Sequence, residues 1–212
     1  MTKKTKLVMF DYDGVLINSN HLPKQYYDEL ATILGTKQFA TQEELREYLE
    51  VNMHLSLQRL GVDTPEKLNV ATMLFRKHDD RWKNLSLFPG VKEMLHKLKQ
   101  NGYALAIISN NKEETIRYDL SRHKVLMYFD HIVDTKYGRK PESDQIMHCL
   151  KLADISPDQA VMIDDMDGGL IAAKTAKLKK AIGVSYGYQL RHRLQMADVI
   201  VDHPKEIIGV VE

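Results

Sequence analysis

Short apolar runs alternate with helix-period stretches along most of this chain, and this alternation constrains the fold more than any other feature. The six runs are Leu7 to Phe10, Tyr103 to Ile108, His131 to Val133, Ala160 to Ile163, Ala181 to Val184 and Val199 to Val201. Amphipathic segments such as Val91 to Gln100 lie between most of them. Continuous apolar strands separated by helices are typical of a parallel sheet covered on both faces. We therefore predict an α/β protein with a parallel sheet core and helices on both faces.

Residues 15–88 interrupt this alternation, because they contain no convincing strand. Their helix signals are an apolar stripe from Leu22 to Leu34 that ends at Gly35, a capping box at Thr41-Gln42-Glu43-Glu44, and Thr64-Pro65 at the start of a helix that we expect to run toward Trp82. Pro89-Gly90 then marks the return to the sheet. We predict a core domain of residues 1–14 and 89–212 with an α-helical cap domain, residues 15–88, inserted after the first strand.

Composition excludes several classes of partner. The chain has 212 residues, and its 30 Lys and Arg nearly balance its 29 Asp and Glu, so nothing indicates nucleic-acid binding. No apolar run is long enough to span a membrane, and the first residues lack the apolar region of a signal peptide. The single cysteine, Cys149, excludes an internal disulfide and suits a reducing compartment. We expect a cytoplasmic protein without a membrane partner; no heptad pattern decides between a monomer and a homodimer.

Polar residues recur where the apolar strands end. Asp11 and Asp13 close the first strand, Ser109-Asn110-Asn111 follows the second, Arg139-Lys140-Pro141 lies in the loop after the third, and Asp164-Asp165 follows the fourth. The carboxyl ends of parallel strands meet at one edge of a sheet, where ligands bind in such folds. Buried paired carboxylates repel each other and lose hydration, so they need a cation or an unusual protonation state.

These residue types suit phosphoryl chemistry. Mg²⁺ prefers oxygen ligands, and Asp11, Asp165 and the backbone carbonyl of Asp13 can supply them. A carboxylate can attack phosphorus, Ser109, Asn110 and Lys140 can bind phosphate oxygens, and Asp13 can serve as an acid and base. Each element alone has a simpler explanation: Ser109-Asn110 as a turn or cap, Lys140 as a surface charge, Asp164-Asp165 as a charge pair at a helix start. Their joint occurrence at successive strand ends favours a site.

Four motifs make the chain resemble the haloacid dehalogenase superfamily, in its branch of phosphatases with a helical cap. They are Phe10-Asp11-Tyr12-Asp13-Gly14-Val15-Leu16, Ile107-Ile108-Ser109-Asn110, Lys140-Pro141-Glu142-Ser143-Asp144, and Asp164-Asp165-Met166-Asp167-Gly168-Gly169-Leu170-Ile171-Ala172-Ala173. Together they span nearly the whole chain. Four positions depart from the family pattern: Asn18 stands where an aspartate is common, Ser143 where a proline is frequent, Met166 where a serine is frequent, and Lys177 where a glycine often ends the helix.

The resemblance implies a Rossmann-like core and a role for each motif residue. Asp11 would be the nucleophile and a metal ligand, and Asp13 the general acid and base with its carbonyl on the metal. Ser109, Asn110 and Lys140 would hold the phosphoryl group. Asp165 would bind the metal directly, and Asp164 directly or through water. The implied enzyme is a Mg²⁺-dependent, phosphoglycolate phosphatase-like hydrolase of a small phosphorylated metabolite that forms an aspartyl-phosphate.

Two alternatives remain open at this point. The first is a β-phosphoglucomutase-like phosphotransferase, although the position of the cap histidine in those relatives is Pro23 here and the nearby histidine is His21. The second is a non-enzymatic phosphate-accepting module such as a receiver domain, although its acidic pair would come earlier in the chain. Cap candidates for substrate contact are Tyr26, Tyr27, His54, Gln58, Arg59, Arg76, His78, Arg81 and Trp82.

Overall fold

Six parallel strands form the central sheet of the protein, for which a computed structural model describes residues 4–77 and 85–212. The strands are β1 (Leu7–Phe10), β2 (Ala104–Ile108), β3 (His131–Val133), β4 (Ala160–Asp164), β5 (Lys180–Val184) and β6 (Val199–Val201). Their order across the sheet is β3-β2-β1-β4-β5-β6, and every neighbouring pair is parallel. The predicted α/β fold with a Rossmann-like parallel sheet is confirmed, and all six apolar runs form strands.

Helices cover both faces of this sheet and form the insertion after β1. They are α1 (His21–Leu34), α2 (Gln42–Tyr48), α3 (Met53–Arg59), α4 (Pro65–Lys77), α5 (Val91–Gln100), α6 (Glu113–Arg122), α7 (Asp144–Ala153), α8 (Asp167–Thr175) and α9 (Ile207–Val210). Short 3₁₀ helices lie at Leu126–Tyr128, Thr135–Tyr137, Pro157–Gln159, Arg191–Arg193 and Pro204–Glu206. Within residues 4–77 and 85–212, no helix is long and apolar enough to cross a bilayer.

The strand β1 shows how the core divides into two layers. Successive side chains of a strand point to opposite faces. Accordingly, Val8 and Phe10 pack on the face that contacts α5 and α6, while Leu7 and Met9 pack on the face that contacts α7 and α8. All four side chains are fully buried, which explains why the run is continuously apolar instead of alternating with polar residues.

The helices α1 to α4 have an apolar cluster of their own. Its members are Tyr26, Tyr27, Leu30, Phe39, Leu45, Leu49, Leu57, Val62, Ala71 and Leu74. The capping box predicted at the start of α2 is present in a modified form, since the Thr41 hydroxyl accepts from the Glu44 N–H at 3.0 Å and the Glu44 carboxylate accepts from the Ala40 N–H. Helix α4 begins at Pro65 as expected, whereas Trp82 lies outside the described residues.

Two antiparallel chain segments connect this helical insertion to the sheet. The Asn18 N–H donates to the Ser86 carbonyl at 2.8 Å, and the Phe88 N–H donates to the Leu16 carbonyl at 3.0 Å. Leu16 and Phe88 themselves pack in the sheet core, next to α5. The division at residues 15 and 88 stays a prediction.

Candidate active site

The strand order brings the predicted motifs to one place at the edge of the sheet. β1 lies between β2 and β4, and Phe10 is in register with Ile107 and with Ile163. The residues that follow these three positions therefore emerge side by side at the carboxyl ends of the strands. The chain leaves β1 for β2 on one side and returns to β4 on the other, which is the switch point where open α/β sheets bind ligands.

Three carboxylates converge at this point. Oxygen atoms of Asp11, Asp164 and Asp165 all lie within 4.8 Å of one another. Asp164 and Asp165 are buried, while Asp11 keeps 13% of its side-chain surface exposed. Asp11 is thus the member of the cluster that a solute can reach.

The Asp165 carboxylate fits the requirements of a hard cation. Its Oδ1 atom is buried and has no hydrogen-bond partner among the described residues, so a strong acceptor is left unsatisfied. Glycines make room for this side chain: a Cβ at Gly14 would lie 2.0 Å from Asp165 Oδ2, and one at Gly187 would lie 2.2 Å from the Asp165 Cβ. Gly14 also has φ of +74°, a conformation that other residues rarely adopt. An all-oxygen, acidic donor set of this kind suits Mg²⁺.

The acidic pair on β4 is electrostatically strained without a cation. Burial, together with the charge of Asp11, raises the pKa of Asp164 to about 7 against the opposing effect of Lys140. Burial, together with the charges of Asp164 and Asp11, raises the pKa of Asp165 well above its usual range. A divalent cation would relieve this repulsion, because it favours the charged form of each carboxyl.

Lys140 supplies the positive charge that the cluster contains. Its Nζ lies 2.8 Å from Asp11 Oδ1 and 2.8 Å from Asp164 Oδ2, and the side chain is almost fully buried. Burial acts to lower the pKa of Lys140, but the two carboxylates outweigh it and the pKa is raised. The lysine is therefore a permanent cation beside Asp11, as the sequence predicts for a phosphate-binding residue.

Asp13 is set apart from the three-carboxylate cluster. Its Oδ2 accepts a hydrogen bond from Asn111 Nδ2 at 3.1 Å, while its buried Oδ1 has no hydrogen-bond partner in the described part of the chain. Burial and then the charge of Asp11 raise the pKa of Asp13 to about 7, against the lowering effects of Asn111, Ser19 and Lys140. A carboxyl with a pKa near neutrality can both give and take a proton, which suits the predicted acid and base role.

Ser109 and Asn110 follow β2, and the Asn110 side chain connects the end of this strand to the loop that carries Lys140. The Asn110 side chain accepts from the Lys140 N–H at 3.0 Å and donates to the Lys140 carbonyl at 3.4 Å. Gln145 on α7 donates to the Ser109 carbonyl at 2.8 Å. Ser109 is buried and Asn110 is exposed at the rim. Asn110 therefore contacts the backbone of Lys140, the predicted phosphate-binding residue that lies beside Asp11.

The segment after β5 contributes a residue that the sequence reasoning missed. The Tyr188 N–H donates to Asp165 Oδ2, and its hydroxyl hydrogen-bonds with Ser19. The same ring packs on the apolar cluster of the helical insertion. Burial, followed by the charge of Asp13, raises the pKa of Tyr188, so the phenol stays neutral. The signal in the sequence is the position of this loop at the carboxyl end of β5, the same kind of position that predicts the residues after β1, β2 and β4.

Arg46 on α2 fastens the helical insertion to this loop. Its guanidinium donates to the carbonyls of Ser185 at 2.8 Å, Gln189 at 3.1 Å and Tyr188 at 3.3 Å. Met166, at the departure from the fourth motif, also packs against the insertion's apolar cluster. The departure thus provides an apolar contact between the core and the helices above it.

The cap residues named from the sequence as substrate contacts divide into three groups. Tyr26 and Tyr27 lie in the apolar cluster of the insertion. Arg59 stacks on Tyr48 at 4.2 Å and pairs with Glu50 at 2.7 Å, and His54, Gln58 and Arg76 are exposed. His78, Arg81 and Trp82 lie outside the described residues.

A family model described as haloacid dehalogenase-like hydrolase matches residues 8–183 of the chain. The chain belongs to the haloacid dehalogenase-like hydrolases. The match includes most of β1 and β5 and all of β2 and β4, and it contains Asp11, Asp13, Ser109, Asn110, Lys140, Asp164 and Asp165. Tyr188 lies beyond it. The predicted family is confirmed, as is the expectation of a hydrolase.

The chain is similar to proteins named as a phosphoglycolate phosphatase and as a pyrophosphatase. A phosphoglycolate phosphatase of Pseudomonas fluorescens (strain Pf-5) is 29% identical over 193 residues, covering 86% of this chain and 70% of that protein. The pyrophosphatase PpaX of Bacillus cereus (strain Q1) is 24% identical over 212 residues, covering 98% and 97%. The likeness to a phosphoglycolate phosphatase supports the expectation of a phosphoric monoester hydrolase.

Solved structures of the family share the fold along nearly the whole chain. A haloacid dehalogenase-like family hydrolase of Streptococcus pneumoniae superposes with a TM-score of 0.81 at 19% identity, covering 98% of this chain and 99% of that one. At this identity the likeness shows the fold alone.

Proposed function

We propose that the protein is a Mg²⁺-dependent phosphatase that hydrolyses a small phosphorylated metabolite through an aspartyl-phosphate on Asp11. The observation that carries this proposal is the position of Asp11: it is the partly exposed carboxylate of a buried acidic cluster and lies 2.8 Å from the Lys140 ammonium. A nucleophile that attacks an anionic phosphate must be accessible and needs positive charge beside it.

Each step follows from the residues around Asp11. An Asp11 oxygen attacks phosphorus, and the bond from phosphorus to the leaving oxygen breaks. Asp13 gives its proton to that oxygen, so the product leaves as an alcohol. Asp13, now ionised, takes a proton from water as the water oxygen attacks the phosphorus of the aspartyl-phosphate. Inorganic phosphate departs, Asp11 is restored as a carboxylate and Asp13 is restored as an acid.

Lys140 and Ser109 hold the phosphoryl group during these steps, and Asn110, whose side chain bonds to the Lys140 backbone, holds the loop of Lys140 in place. Lys140 is an almost fully buried cation, which strengthens its attraction for the charge on the phosphoryl oxygens. Asp11, Asp164, Asp165 and the carbonyl of Asp13 would hold Mg²⁺, which when bound offsets the repulsion between a carboxylate and a phosphate. The unsatisfied Asp165 Oδ1 and the crowding of three acidic groups support this ligand set.

A small substrate fits the closeness of the helical insertion to the site. Tyr188 contacts both Asp165 and the insertion's apolar cluster, and Arg46 fastens the insertion to the same loop. Phosphoglycolate and pyrophosphate, the substrates in the names of the relatives, are both small. We propose phosphoglycolate as the first compound to test.

The single buried thiol of Cys149 supports a reducing, cytoplasmic location.

Phosphate release from a panel of compounds tests the proposal. The panel holds phosphoglycolate, pyrophosphate, sugar phosphates, nucleotides and p-nitrophenyl phosphate, each with Mg²⁺ and with a chelator. Asp11→Asn serves as the blank, and Asp63→Asn makes the same chemical change at an exposed position of the helical insertion. We expect Mg²⁺-dependent release that Asp11→Asn abolishes and Asp63→Asn retains. Release that survives in Asp11→Asn would contradict the proposal.

The same panel distinguishes the phosphotransferase alternative. The cap position that carries a histidine in the mutase relatives is Pro23, and His21 is exposed at the start of α1. Transfer of label from an activated phosphate donor to a sugar phosphate, at a rate above hydrolysis, would favour a mutase.

A further inference from the structure

We infer that Asn111 is a positioning residue that orients the carboxyl of Asp13 for proton transfer. This inference rests on the proposed phosphatase function and adds a residue outside the four motifs. The observation behind it is the hydrogen bond of 3.1 Å that the Asn111 side-chain amide donates to Asp13 Oδ2.

The amide of Asn111 is fixed at both ends. Its Nδ2 donates to Asp13, and its Oδ1 accepts from the Lys112 N–H at 2.8 Å. Turning the amide over would place its oxygen against a carboxylate and its NH₂ against an N–H, so both bonds would be lost. The structure therefore permits one orientation of the side chain, with its donor toward Asp13.

The bond to Asn111 leaves one oxygen of Asp13 available. Asp13 Oδ2 is engaged by Asn111. The Ser19 hydroxyl lies near the carboxyl and lowers its pKa, but it bonds with the Tyr188 hydroxyl, and the buried Oδ1 of Asp13 has no hydrogen-bond partner in residues 4–77 and 85–212. A carboxyl that transfers a proton must present one oxygen at hydrogen-bond distance from the reacting atom. Asn111 selects Oδ1 for that task, because it fixes the carboxyl by the other oxygen.

Asn111 also links the acid to the phosphate-binding loop. Its backbone N–H donates to the Ser109 hydroxyl at 3.0 Å. One residue thus sets the orientation of a phosphate-binding hydroxyl and of the proton donor. The substrate fixes the distance between its phosphorus and its leaving oxygen. Because Asn111 contacts both the Ser109 hydroxyl and the Asp13 carboxyl, it keeps the spacing of these two groups matched to that distance.

A purely structural role would give a different result when the amide is removed. Asn111 lies just before α6, and its bond to the Lys112 N–H stabilises the start of that helix. Loss of that support would lower the stability of the protein and the turnover of all substrates alike. Loss of the orientation of Asp13 would instead lower the turnover of each substrate by an amount that depends on how much its leaving group needs a proton.

The test compares two leaving groups in wild type, Asn111→Ala and Asn111→Gln. The leaving group of phosphoglycolate is the alkoxide of glycolate, which needs a proton. The leaving group of p-nitrophenyl phosphate is a stable phenolate, which does not. The quantity compared is kcat/KM, which reports the steps up to cleavage of the phosphorus–oxygen bond and is unaffected by later hydrolysis of the aspartyl-phosphate. Glu114→Ala, an exposed change in the first turn of α6, is the control.

We expect Asn111→Ala to lower kcat/KM for phosphoglycolate at least ~10-fold, a part of the ~10² to 10⁴-fold that general acid catalysis contributes. The loss of kcat/KM for p-nitrophenyl phosphate should stay below about 3-fold, because its cleavage depends little on general acid catalysis. Asn111→Gln, which keeps the amide, should recover part of the loss, and Glu114→Ala should change neither substrate.

Equal losses on both substrates, or a larger loss on p-nitrophenyl phosphate, would overturn the inference. If Asn111→Ala does not fold, Asn111→Asp provides the same comparison in an isosteric side chain that repels Asp13. If phosphoglycolate is not a substrate, the alkyl phosphate of the panel that wild type hydrolyses fastest takes its place in the comparison. If wild type releases phosphate from no compound of the panel, the proposed function fails together with everything that rests on it. Activity of wild type with no selective effect at position 111 contradicts only the inference about Asn111.

Discussion

The ammonium of Lys140 lies 2.8 Å from the carboxylate of Asp11, and it contacts Asp164 at the same distance on its other side. One buried cation therefore pairs with two carboxylates from different strands. Since a third carboxylate, Asp165, belongs to the same cluster, the pairing leaves an excess of negative charge.

Removal of the Lys140 charge should destabilise the metal-free protein. Lys140→Met leaves buried carboxylates unpaired, and breaking such a pair costs about 3 kcal/mol or more. Urea unfolding in the presence of a chelator measures the change. Lys136→Met is the matched control, because the Lys136 side chain is 68% exposed and lies 3.7 Å from Asp134; its removal should cost under ~1 kcal/mol. Equal stability of the two variants would contradict the pairing.

Removal of the Asp165 charge should separate metal binding from stability. We expect Asp165→Asn to be at least as stable as wild type without metal, because it removes the repulsion from Asp164 and Asp11. Mg²⁺ at 100 times its dissociation constant should stabilise wild type by ~2.7 kcal/mol but leave the variant unchanged. Thermal unfolding with and without Mg²⁺ measures both effects. Asp167→Asn, two residues along the chain and outside the cluster, should respond to Mg²⁺ as wild type does.

The metal-free protein should lose stability as the pH rises from about 4 to about 7. Asp13 and Asp164 have pKa values of about 7 in the folded protein against an ordinary value of 3.8. Between these values the folded state binds more protons than the unfolded state, so the free energy of unfolding falls as pH rises. Denaturant titrations across that range, with a chelator present, measure the slope. Asp13→Asn should make the slope shallower, and an unchanged slope would show that Asp13 does not contribute.

Cys149 should be inert in the native protein. Burial raises the pKa of its thiol to about 12, so little thiolate is present near neutral pH. We expect a disulfide reagent such as Ellman's to react in denaturant and not before. Rapid reaction of the folded protein, at the rate of a free thiol, would contradict the burial of this side chain on α7.

Much of the core could be predicted because its signals are local. Strands buried on both faces of a parallel sheet are nearly continuous apolar runs, which makes central strands such as β1 and β4 easy to predict from the sequence. The ending of the helix α8 was also visible: Lys177 stands where a glycine is frequent, and its φ is +56°. The carboxyl ends of parallel strands meet at one edge of the sheet, so Asp11, Ser109 and Asp164 could be predicted to lie at that edge without any knowledge of distances.

The contacts between the helical insertion and the core could not be predicted in this way. Arg46 and Tyr188 are far apart in the sequence, and their pairing depends on how α2 docks on the loop after β5. Helical periodicity also misplaced Ile33, which belongs to the predicted apolar stripe of α1 but is 55% exposed. A stripe indicates which face of a helix can be buried, but the neighbouring helices decide how much of it is.

In the proposed reaction, Asp11 carries the phosphoryl group and Asp13 moves the proton. The most direct test mixes Asp13→Asn with p-nitrophenyl phosphate and Mg²⁺, follows nitrophenolate release, and maps the acid-quenched protein by mass spectrometry. Cleavage needs no acid with this leaving group, whereas hydrolysis of the aspartyl-phosphate needs Asp13 as a base. We predict a stoichiometric burst and a phosphorylated peptide that contains Asp11. A burst without that peptide, or phosphate on any other residue, would contradict the account.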